Sequence, residues 1–270
     1  MDCSATVSIR FDSDDEGIKT DLARLADQLG LPAPARETGD CDYLLTMNGE
    51  RLELHRNDPK VSRKTRLYVD FLSGPSYYRY VNNRTIKQPL ARAVGIRQGY
   101  RPILLDATAG FGEDSFVLAA LGCSVTMLER SPIIWALLEN GIKRCRSHPE
   151  IGAIFSRRVR LSRTEARQFL ADCKQPFDTI YLDPMYPHRT KSSLNRQNMR
   201  VLRELAGDDS DSGQLLDAAL THARKRVTVK RPARAESLGG VEPSFSIAAR
   251  SSRYDIYLIP QARSEDDPPF

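Results

Sequence analysis

The stretch that decides the fold is Ile103-Leu-Leu-Asp-Ala-Thr-Ala-Gly-Phe-Gly-Glu-Asp114. An apolar run that ends in an acid is followed by a turn of small residues with two glycines, and then by the start of a helix. This order is typical of a doubly wound α/β sheet, where glycines let the backbone approach a bound nucleotide closely. Asp106 ends the first predicted strand, and Glu129 ends the next one 23 residues later. That separation is close to the roughly 20 residues expected for an acid that binds ribose hydroxyls.

A second motif, Tyr181-Leu-Asp-Pro-Met-Tyr-Pro187, ends the predicted strand 177–182 and therefore lies at the carboxyl edge of the sheet, where open α/β folds bind ligands. It resembles the Asn/Asp-Pro-Pro-Tyr/Phe motif of S-adenosylmethionine-dependent methyltransferases that modify exocyclic amino groups. An aromatic amine is a poor nucleophile, because its lone pair is delocalised into the ring. The Asp183 carboxylate and the Pro184 carbonyl can accept hydrogen bonds from the N–H groups of the amine and so orient its lone pair. The Tyr186 ring can stack on the base, a contact worth ~1–3 kcal/mol. We therefore interpret Asp183, Pro184 and Tyr186 as the candidate catalytic residues.

The pattern after residue 102 predicts a regular alternation of strands and helices. The expected strands lie near 103–106, 124–129, 158–162, 177–182, 226–230, 244–248 and 254–259. The last two should form a hairpin around Ala249–Ser252, which matches the Rossmann-like architecture of methyltransferases and is not the usual end of an NAD-binding fold. The predicted fold class is α/β, with a seven-stranded class I methyltransferase domain at 102–270 and a small N-terminal α/β unit.

That N-terminal unit is expected to span residues 1–75. A short strand near 6–11 is followed by apolar residues at helical spacing that end at Gly30, and Asn48-Gly49 between two apolar runs predicts a hairpin. Nothing in this unit indicates chemistry, so it is expected to pack against the rest of the chain or to dock substrate.

Residues 76–101 are predicted to connect the two units. Tyr77-Tyr-Arg-Tyr80 interleaves tyrosines with arginine, which suits a surface that contacts phosphates and stacks bases. The same pattern also fits core tyrosines beside solvated charges, and both interpretations remain open. Residues 90–96 are predicted to form an amphipathic helix.

Composition narrows the class of protein. The 270 residues carry a net charge of +5, which weakly favours a polyanionic partner, and their mean hydropathy is −0.45. Five scattered cysteines without a Cys-x-x-Cys pair indicate reduced thiols, and four histidines without ligand spacing give no reason to expect a metal. The first residues have neither the basic nor the apolar part of a secretory signal, so we expect a cytoplasmic protein that does not enter a membrane.

Several segments carry a resemblance that is more specific than membership of the methyltransferase superfamily. They are Val69–Phe71, Asp106–Leu118, Met127–Arg130, Tyr181–Ser192, Val229–Pro232 and Tyr254–Tyr257. Together they resemble the ribosomal RNA small subunit methyltransferase J family, over the chain from about residue 60 onward. The resemblance implies methylation of the exocyclic N2 amine of one guanine in small-subunit (16S) ribosomal RNA. It implies S-adenosylmethionine as the cofactor, and ribosomal RNA or a ribosomal particle as the partner.

The glycine turn and the resemblance together predict the residues of the methyl-donor site. These are Asp106, Thr108, Gly110, Gly112, Glu113, Asp114, Glu129, Arg130, Glu165, Ala166 and Asp183. The resemblance implies that Glu129 and Arg130 contact the adenosine, that Glu165 and Ala166 lie near the adenine, and that Asp183 joins donor and base. Glu165 could equally begin a helix, where acids favour the helix dipole.

Basic clusters after the second motif and around the fifth strand predict RNA contacts at Arg189, Lys191, Arg196, Lys230 and Arg231. Such clusters are also common on solvated faces. Two further functions stay open at this point: an amino methyltransferase for adenine, cytosine or a protein glutamine, and a non-catalytic RNA-binding or ribosome-assembly protein with the same fold.

Overall fold

The computed structural model describes residues 5–58, 66–184, 201, 204–205 and 211–260. The amino-terminal part contains a four-stranded sheet in the order β1-β2-β3-β4, in which β1 and β2 are parallel and the other pairs are antiparallel. Its elements, with the two helices that follow, are β1 (Val7–Ile9), α1 (Glu16–Leu29), β2 (Tyr43–Asn48), β3 (Arg51–Arg56), β4 (Arg66–Leu67), α2 (Gly74–Asn82) and α3 (Pro89–Ala93).

The carboxy-terminal part contains a seven-stranded sheet in the order β10-β11-β9-β8-β5-β6-β7. Its elements are β5 (Ile103–Asp106), α4 (Glu113–Ala120), β6 (Ser124–Glu129), α5 (Pro132–Cys145), α6 (Pro149–Arg158), β7 (Val159–Arg163), α7 (Ala166–Asp172), β8 (Phe177–Leu182), α8 (Ser212–His222), β9 (Ala223–Pro232), β10 (Phe245–Ala248) and β11 (Ser252–Leu258). The strands from β9 to β7 are parallel, whereas β11 is antiparallel to both of its neighbours.

The seven predicted strands and the terminal hairpin are confirmed. The hairpin closes where the Ala249 amide donates to the Ser252 carbonyl at 2.9 Å. The fifth strand, β9, is longer than predicted at both ends, because it pairs with β8 on one side and with β11 along most of its length on the other. The arrangement is a Rossmann-like α/β fold, as the sequence predicted.

Helices cover both faces of the large sheet. One apolar cluster joins β5 and β6 to Phe116 of α4, Leu137 of α5 and Ile151 of α6, and the other joins β8 and β9 to Leu170 of α7 and Leu216 of α8. All six residues of β8 are buried, as expected for a central strand covered on both faces.

The amino-terminal sheet packs against the large sheet through a shared apolar cluster. Its core residues Ile9, Leu22 and Leu54 belong to the same apolar cluster as Phe116 and Leu137. The side chain of Asn140 on α5 adds polar contacts, because it accepts from the Leu52 amide at 3.0 Å. The two sheets therefore share one core, and the predicted domain boundaries near residues 75 and 101 stay predictions.

The predicted connector, residues 76–101, contains most of helix α2 and all of helix α3. Tyr80 is buried, its ring packs tilted against Phe116 with 5.6 Å between ring centroids, and its hydroxyl donates to Glu150 at 2.7 Å. Tyr78 is 67% exposed. The core interpretation thus holds for Tyr80, while Tyr78 still offers a ring to solvent. No helix in the described part of the chain has the length and apolar character needed to cross a membrane.

Candidate active site

The candidate site lies where the order of the parallel strands reverses. The chain passes from β5 to β6 and β7 in one direction, and then returns to place β8 on the other side of β5. Crevices at such switch points, outside the carboxyl ends of the strands, are where open α/β sheets bind ligands. Asp106 at the end of β5 aligns with Met127 on β6 and with Tyr181 on β8, so the acid-terminated strands meet at one edge.

The turn after β5 depends on two glycines with left-handed backbone. Gly110 has φ 54° and Gly112 has φ 71°, a region that favours residues without a Cβ. A Cβ on Gly110 would have no atom within 4 Å, whereas a Cβ on Gly112 would lie 2.8 Å from Leu138 Cδ1. Gly110 therefore borders open space at the site, and Gly112 allows close packing beneath the turn.

Asp106 is 2% exposed and organises this turn from below. Its carboxylate accepts from the Thr108 amide at 3.2 Å and from the Ser115 hydroxyl at 2.5 Å. Burial, aided by the negative charges of Asp114 and Asp183, raises the pKa of Asp106 to about 7. Both of these hydrogen bonds come from groups of the protein, and contact between Asp106 and the methyl donor stays a prediction.

Glu129 ties the glycine turn to the next helix. It accepts from the Gly110 amide at 2.9 Å through Oε2 and from the Ser131 amide at 2.7 Å through Oε1. The carboxylate is thus held at the carboxyl end of β6, beside the open space above Gly110. Carboxylate oxygens are acceptors only, which suits hydroxyl groups of a ribose.

Three charged side chains form a cluster on the other side of the turn, which we call the carboxylate–lysine cluster: Asp114, Asp183 and Lys230. Lys230 Nζ lies 2.8 Å from Asp114 Oδ2 and 2.8 Å from Asp183 Oδ2. Asp114 also accepts from the Tyr181 hydroxyl at 2.8 Å and faces Arg79 at 3.4 Å. Burial alone would raise the pKa of Asp114, but the charges of Lys230 and Arg79 and these hydrogen bonds lower it to about 2.

The glycine turn and the second motif are joined directly. The Asp183 backbone amide donates to Thr108 Oγ1 at 2.7 Å, so the catalytic candidate is fixed to the turn of the predicted donor site. Pro184 follows in a buried position. Tyr186, Arg189, Lys191 and Arg196 lie outside the described residues.

The outer end of the predicted donor site is a chain of ion pairs. Arg130 lies 3.3 Å from Asp211, which also pairs with Arg167 at 3.3 Å. Glu165 caps α7 by accepting from the Arg167 and Gln168 amides at 3.0 and 2.9 Å, and Ala166 is the buried first residue of that helix. The helix-start interpretation of Glu165 is therefore right, and adenine contact by Glu165 and Ala166 stays a prediction. Glu113 begins α4 in an exposed position.

Two residues of the predicted RNA-contact set have inward placements. Lys230 belongs to the carboxylate–lysine cluster, and Arg231 is 4% exposed with its guanidinium donating to the Glu236 carbonyl. Neither placement favours contact with an RNA backbone, because both cations already face acceptors of the protein. RNA contact at these two positions stays a prediction that the placement does not support.

The sequence did not single out Arg79 or the Tyr181 hydroxyl as members of the site. Alternation along β8 offered a signal for Tyr181, because residues two apart in a strand point to the same face and Asp183 is two residues away. For Arg79 there was no local signal, since it reaches Asp114 from helix α2, 35 residues earlier in the chain.

The fold and this site define a class I methyltransferase. The family described as "Putative SAM-dependent methyltransferase" matches residues 24–259. Proteins named "Ribosomal RNA small subunit methyltransferase J" from Thioalkalivibrio sulfidiphilus and Nitrosococcus oceani are 44% and 46% identical to this chain. These alignments cover 93% and 87% of this chain, and 97% and 92% of the relatives. The chain belongs to the ribosomal RNA small subunit methyltransferase J family of S-adenosylmethionine-dependent methyltransferases, which confirms the resemblance.

A solved structure of a methyltransferase shares this fold. The crystal structure of a SAM-dependent methyltransferase from Neisseria gonorrhoeae is 30% identical, with a TM-score of 0.72, and covers 97% of this chain and 100% of its own.

The residues present suit S-adenosylmethionine. Gly110 leaves open space at the turn, and Glu129 supplies acceptors for hydroxyls. The described residues contain no group of three or more His, Cys, Asp or Glu side chains that could hold a metal ion.

Proposed function

We propose that this protein transfers the methyl group of S-adenosylmethionine to the exocyclic N2 amine of a guanine in small-subunit (16S) ribosomal RNA. The observation that carries the proposal is the hydrogen bond from the Asp183 amide to Thr108, which holds a carboxylate beside the glycine turn. Relatives at 44–46% identity carry a name that states the RNA class. We further propose that the protein acts in the cytoplasm, on free ribosomal RNA or on an assembling particle.

Guanine suits this site because its N1–H and N2–H groups are adjacent donors, and an ionised carboxylate only accepts. A base inside a duplex could not reach Asp183, so the target is expected to be single-stranded or flipped out of its stack. Bound S-adenosylmethionine supplies an electrophilic methyl group. The protein's part is to orient the amine: Asp183 and the Pro184 carbonyl accept hydrogen bonds from its N–H groups, and Tyr186 stacks on the base. Positioning of this kind accounts for catalysis without a covalent enzyme intermediate.

The direct test is to incubate the protein with isotopically labelled S-adenosylmethionine and ribosomal RNA from a strain that lacks it, followed by nucleoside analysis. We expect label in N2-methylguanosine, and comparing naked RNA with small-subunit particles identifies the form of the substrate. Label in methylated adenosine or cytidine would instead establish a different amino methyltransferase. Donor binding with no label in any RNA would favour the non-catalytic assembly protein.

Replacement of Glu129 tests the donor site. Glu129→Ala should weaken binding of both S-adenosylmethionine and S-adenosylhomocysteine by about 1–3 kcal/mol, because charge-assisted hydrogen bonds to the ribose are lost. Isothermal titration calorimetry measures this change. Glu139→Ala is the matched control, since Glu139 is exposed on α5 and should leave the affinity unchanged. Equal affinities for the Glu129 variant and the native protein would remove this residue from the donor site.

The basic segment after the second motif is tested by salt dependence. Arg189→Ala with Lys191→Ala should weaken RNA binding, reduce the logarithmic salt slope by about 1 for each lost phosphate contact, and leave donor affinity intact. Arg157→Ala with Arg160→Ala is the control, because these exposed arginines lie near the amino end of β7, at the opposite edge of the sheet. A salt slope that is the same in the first variant and the native protein would show that Arg189 and Lys191 do not contact phosphate.

A further inference from the structure

Lys230 occupies a position between two carboxylates that come from different elements. Asp114 is in the first turn of α4, Asp183 follows β8, and Lys230 lies on the neighbouring strand β9. The parallel register pairs Leu182 with Val229, so Lys230 and Asp183 are the next residues along the two strands. Its single ammonium group reaches both carboxylates at 2.8 Å.

This ammonium is a fixed positive charge. Burial would lower the pKa of Lys230, but the negative charges of Asp183 and Asp114 and the hydrogen bonds to them raise it well above its ordinary value. A lysine that stays protonated cannot accept a proton from a substrate. It can, however, stabilise the ionised form of each carboxylate that it contacts.

The carboxylates need that stabilisation, because negative charge accumulates at this edge. Without Lys230, ionised Asp114 and Asp183 would be like charges close together, and like charges favour protonation of one member of the pair. In the described part of the chain, the charged and titratable groups that face the pair from the surrounding elements include Arg79, Asp106, Glu113, Tyr181 and Tyr254. Arg79 is the cation among them and faces Asp114, whereas Lys230 contacts both Asp114 and Asp183.

We propose that Lys230 is a positioning residue for methyl transfer, which holds the Asp183 carboxylate ionised and oriented toward the amine. The inference rests on the proposed function, because it assigns Lys230 a task in the same reaction. A protonated Asp183 would present an O–H donor to the donor edge of guanine, and the alignment of the amine would be lost. Lys230 therefore acts through Asp183 rather than through the RNA backbone.

The test compares Lys230→Met with Lys230→Arg in single-turnover methyl transfer, with donor and RNA saturating, from acidic to mildly alkaline pH. Protonation of Asp183 removes the acceptor, so the rate falls as the pH falls. Without the neighbouring cation Asp183 binds a proton more readily, so in Lys230→Met the fall should begin about one to three pH units higher. At a pH on that acid limb, the rate should be at least roughly tenfold lower than in the native protein. At alkaline pH the two rates should converge, and Lys230→Arg should restore most of the native profile.

A matched control lies on the same pair of strands. Lys225, near the beginning of β9, pairs with Asp178 at the beginning of β8 at 3.3 Å, at the opposite edge of the sheet. Lys225→Met removes the same kind of ion pair and should leave the shape of the pH profile unchanged. If the rate of Lys230→Met is instead lower than the native rate by the same factor at every pH, and Lys230→Arg does not restore it, Lys230 has only a structural role. That result would overturn the proposal.

A second measurement separates this inference from the proposed function. Carbon-13 NMR of the aspartate side-chain carboxyls follows titration of Asp114 and Asp183 without RNA or donor. We expect both carboxyls to titrate at higher pH in Lys230→Met than in the native protein. Unchanged titration of Asp183 would contradict the positioning role of Lys230. If the titration moves but the native protein labels no guanine, the proposed function fails while the electrostatic role of Lys230 stands.

Discussion

Replacing Asp183 with alanine should lower the single-turnover rate of methyl transfer by about 10²–10³-fold, near 3–4 kcal/mol, the effect typical of one preorganised group in a water-excluded site. The carboxylate matters most when the amine lone pair turns toward the methyl group. The loss should therefore fall on the rate of transfer and much less on RNA affinity. Rapid-quench measurement with both substrates saturating isolates that step, since Asp183 is also predicted to touch the donor.

A conservative variant at Asp183 and a control variant at Asp178 test whether the effect is specific to the Asp183 carboxylate. Asp183→Asn should be milder, because its amide oxygen still accepts one hydrogen bond, although its NH₂ group would face the guanine donors. Asp178→Asn is the matched control at the other end of β8, where Asp178 accepts from the Ile103 amide at 3.0 Å and pairs with Lys225. It should leave the transfer rate near the native value. A native rate in Asp183→Ala under saturating conditions would show that Asp183 has no catalytic role.

Much of the fold was predictable, because the signals that determine it are local. Buried parallel strands are short apolar runs, and Phe177–Leu182, all of it buried, is an example. Gly30 ends α1 in the left-handed conformation that the sequence predicted, and Asn48-Gly49 forms the hairpin between β2 and β3. In each case the residue that gives the signal is the residue that adopts the predicted conformation, so no distant contact has to be known.

The polar contacts of the site were less predictable, because their partners are distant in sequence. Lys230 appeared only as one member of a basic cluster, and a cluster of this kind does not show which of its cations will face carboxylates. The partner Asp114 is 116 residues away, and the contact exists because β9 lies beside β8 in the folded sheet. Arg231 illustrates the same limit: its neighbour in sequence enters the site, while it is itself buried beside Glu236.

The shared core was also not predictable from composition. Residues 1–75 carry their own strand, helix and hairpin patterns, which predicted a small unit that packs against the rest of the chain or docks substrate. The structure packs Ile9 and Leu54 into the same apolar cluster as α4 and α5. Since the helices that carry Asp114 and follow Glu129 pack on that cluster, the amino-terminal sheet supports the predicted donor site through packing.

The second large effect is expected at Gly112, in the turn of the predicted donor site. Gly112→Ala places a Cβ in a left-handed conformation, which costs about 1–2 kcal/mol. It also brings that Cβ to 2.8 Å from Leu138 and 3.3 Å from Phe71. Both neighbours are fully buried, so neither can move without disturbing others, and overpacking of this kind costs about 1–3 kcal/mol more. We therefore expect the free energy of unfolding to fall by about 2–5 kcal/mol, as measured by chemical denaturation.

Gly110→Ala is the matched variant, because it has the same left-handed backbone but no atom within 4 Å of the added Cβ. Its stability should fall only by the conformational cost of about 1–2 kcal/mol. Its methyl group would instead project into the open space at the turn, so the affinity for S-adenosylhomocysteine should fall more than the stability does. If Gly110→Ala binds this ligand normally while Gly112→Ala is as stable as the native protein, the turn neither packs as the structure indicates nor receives the methyl donor as predicted. Loss of stability in Gly112→Ala and loss of ligand affinity in Gly110→Ala would assign packing and binding to two glycines that are two residues apart in the same turn.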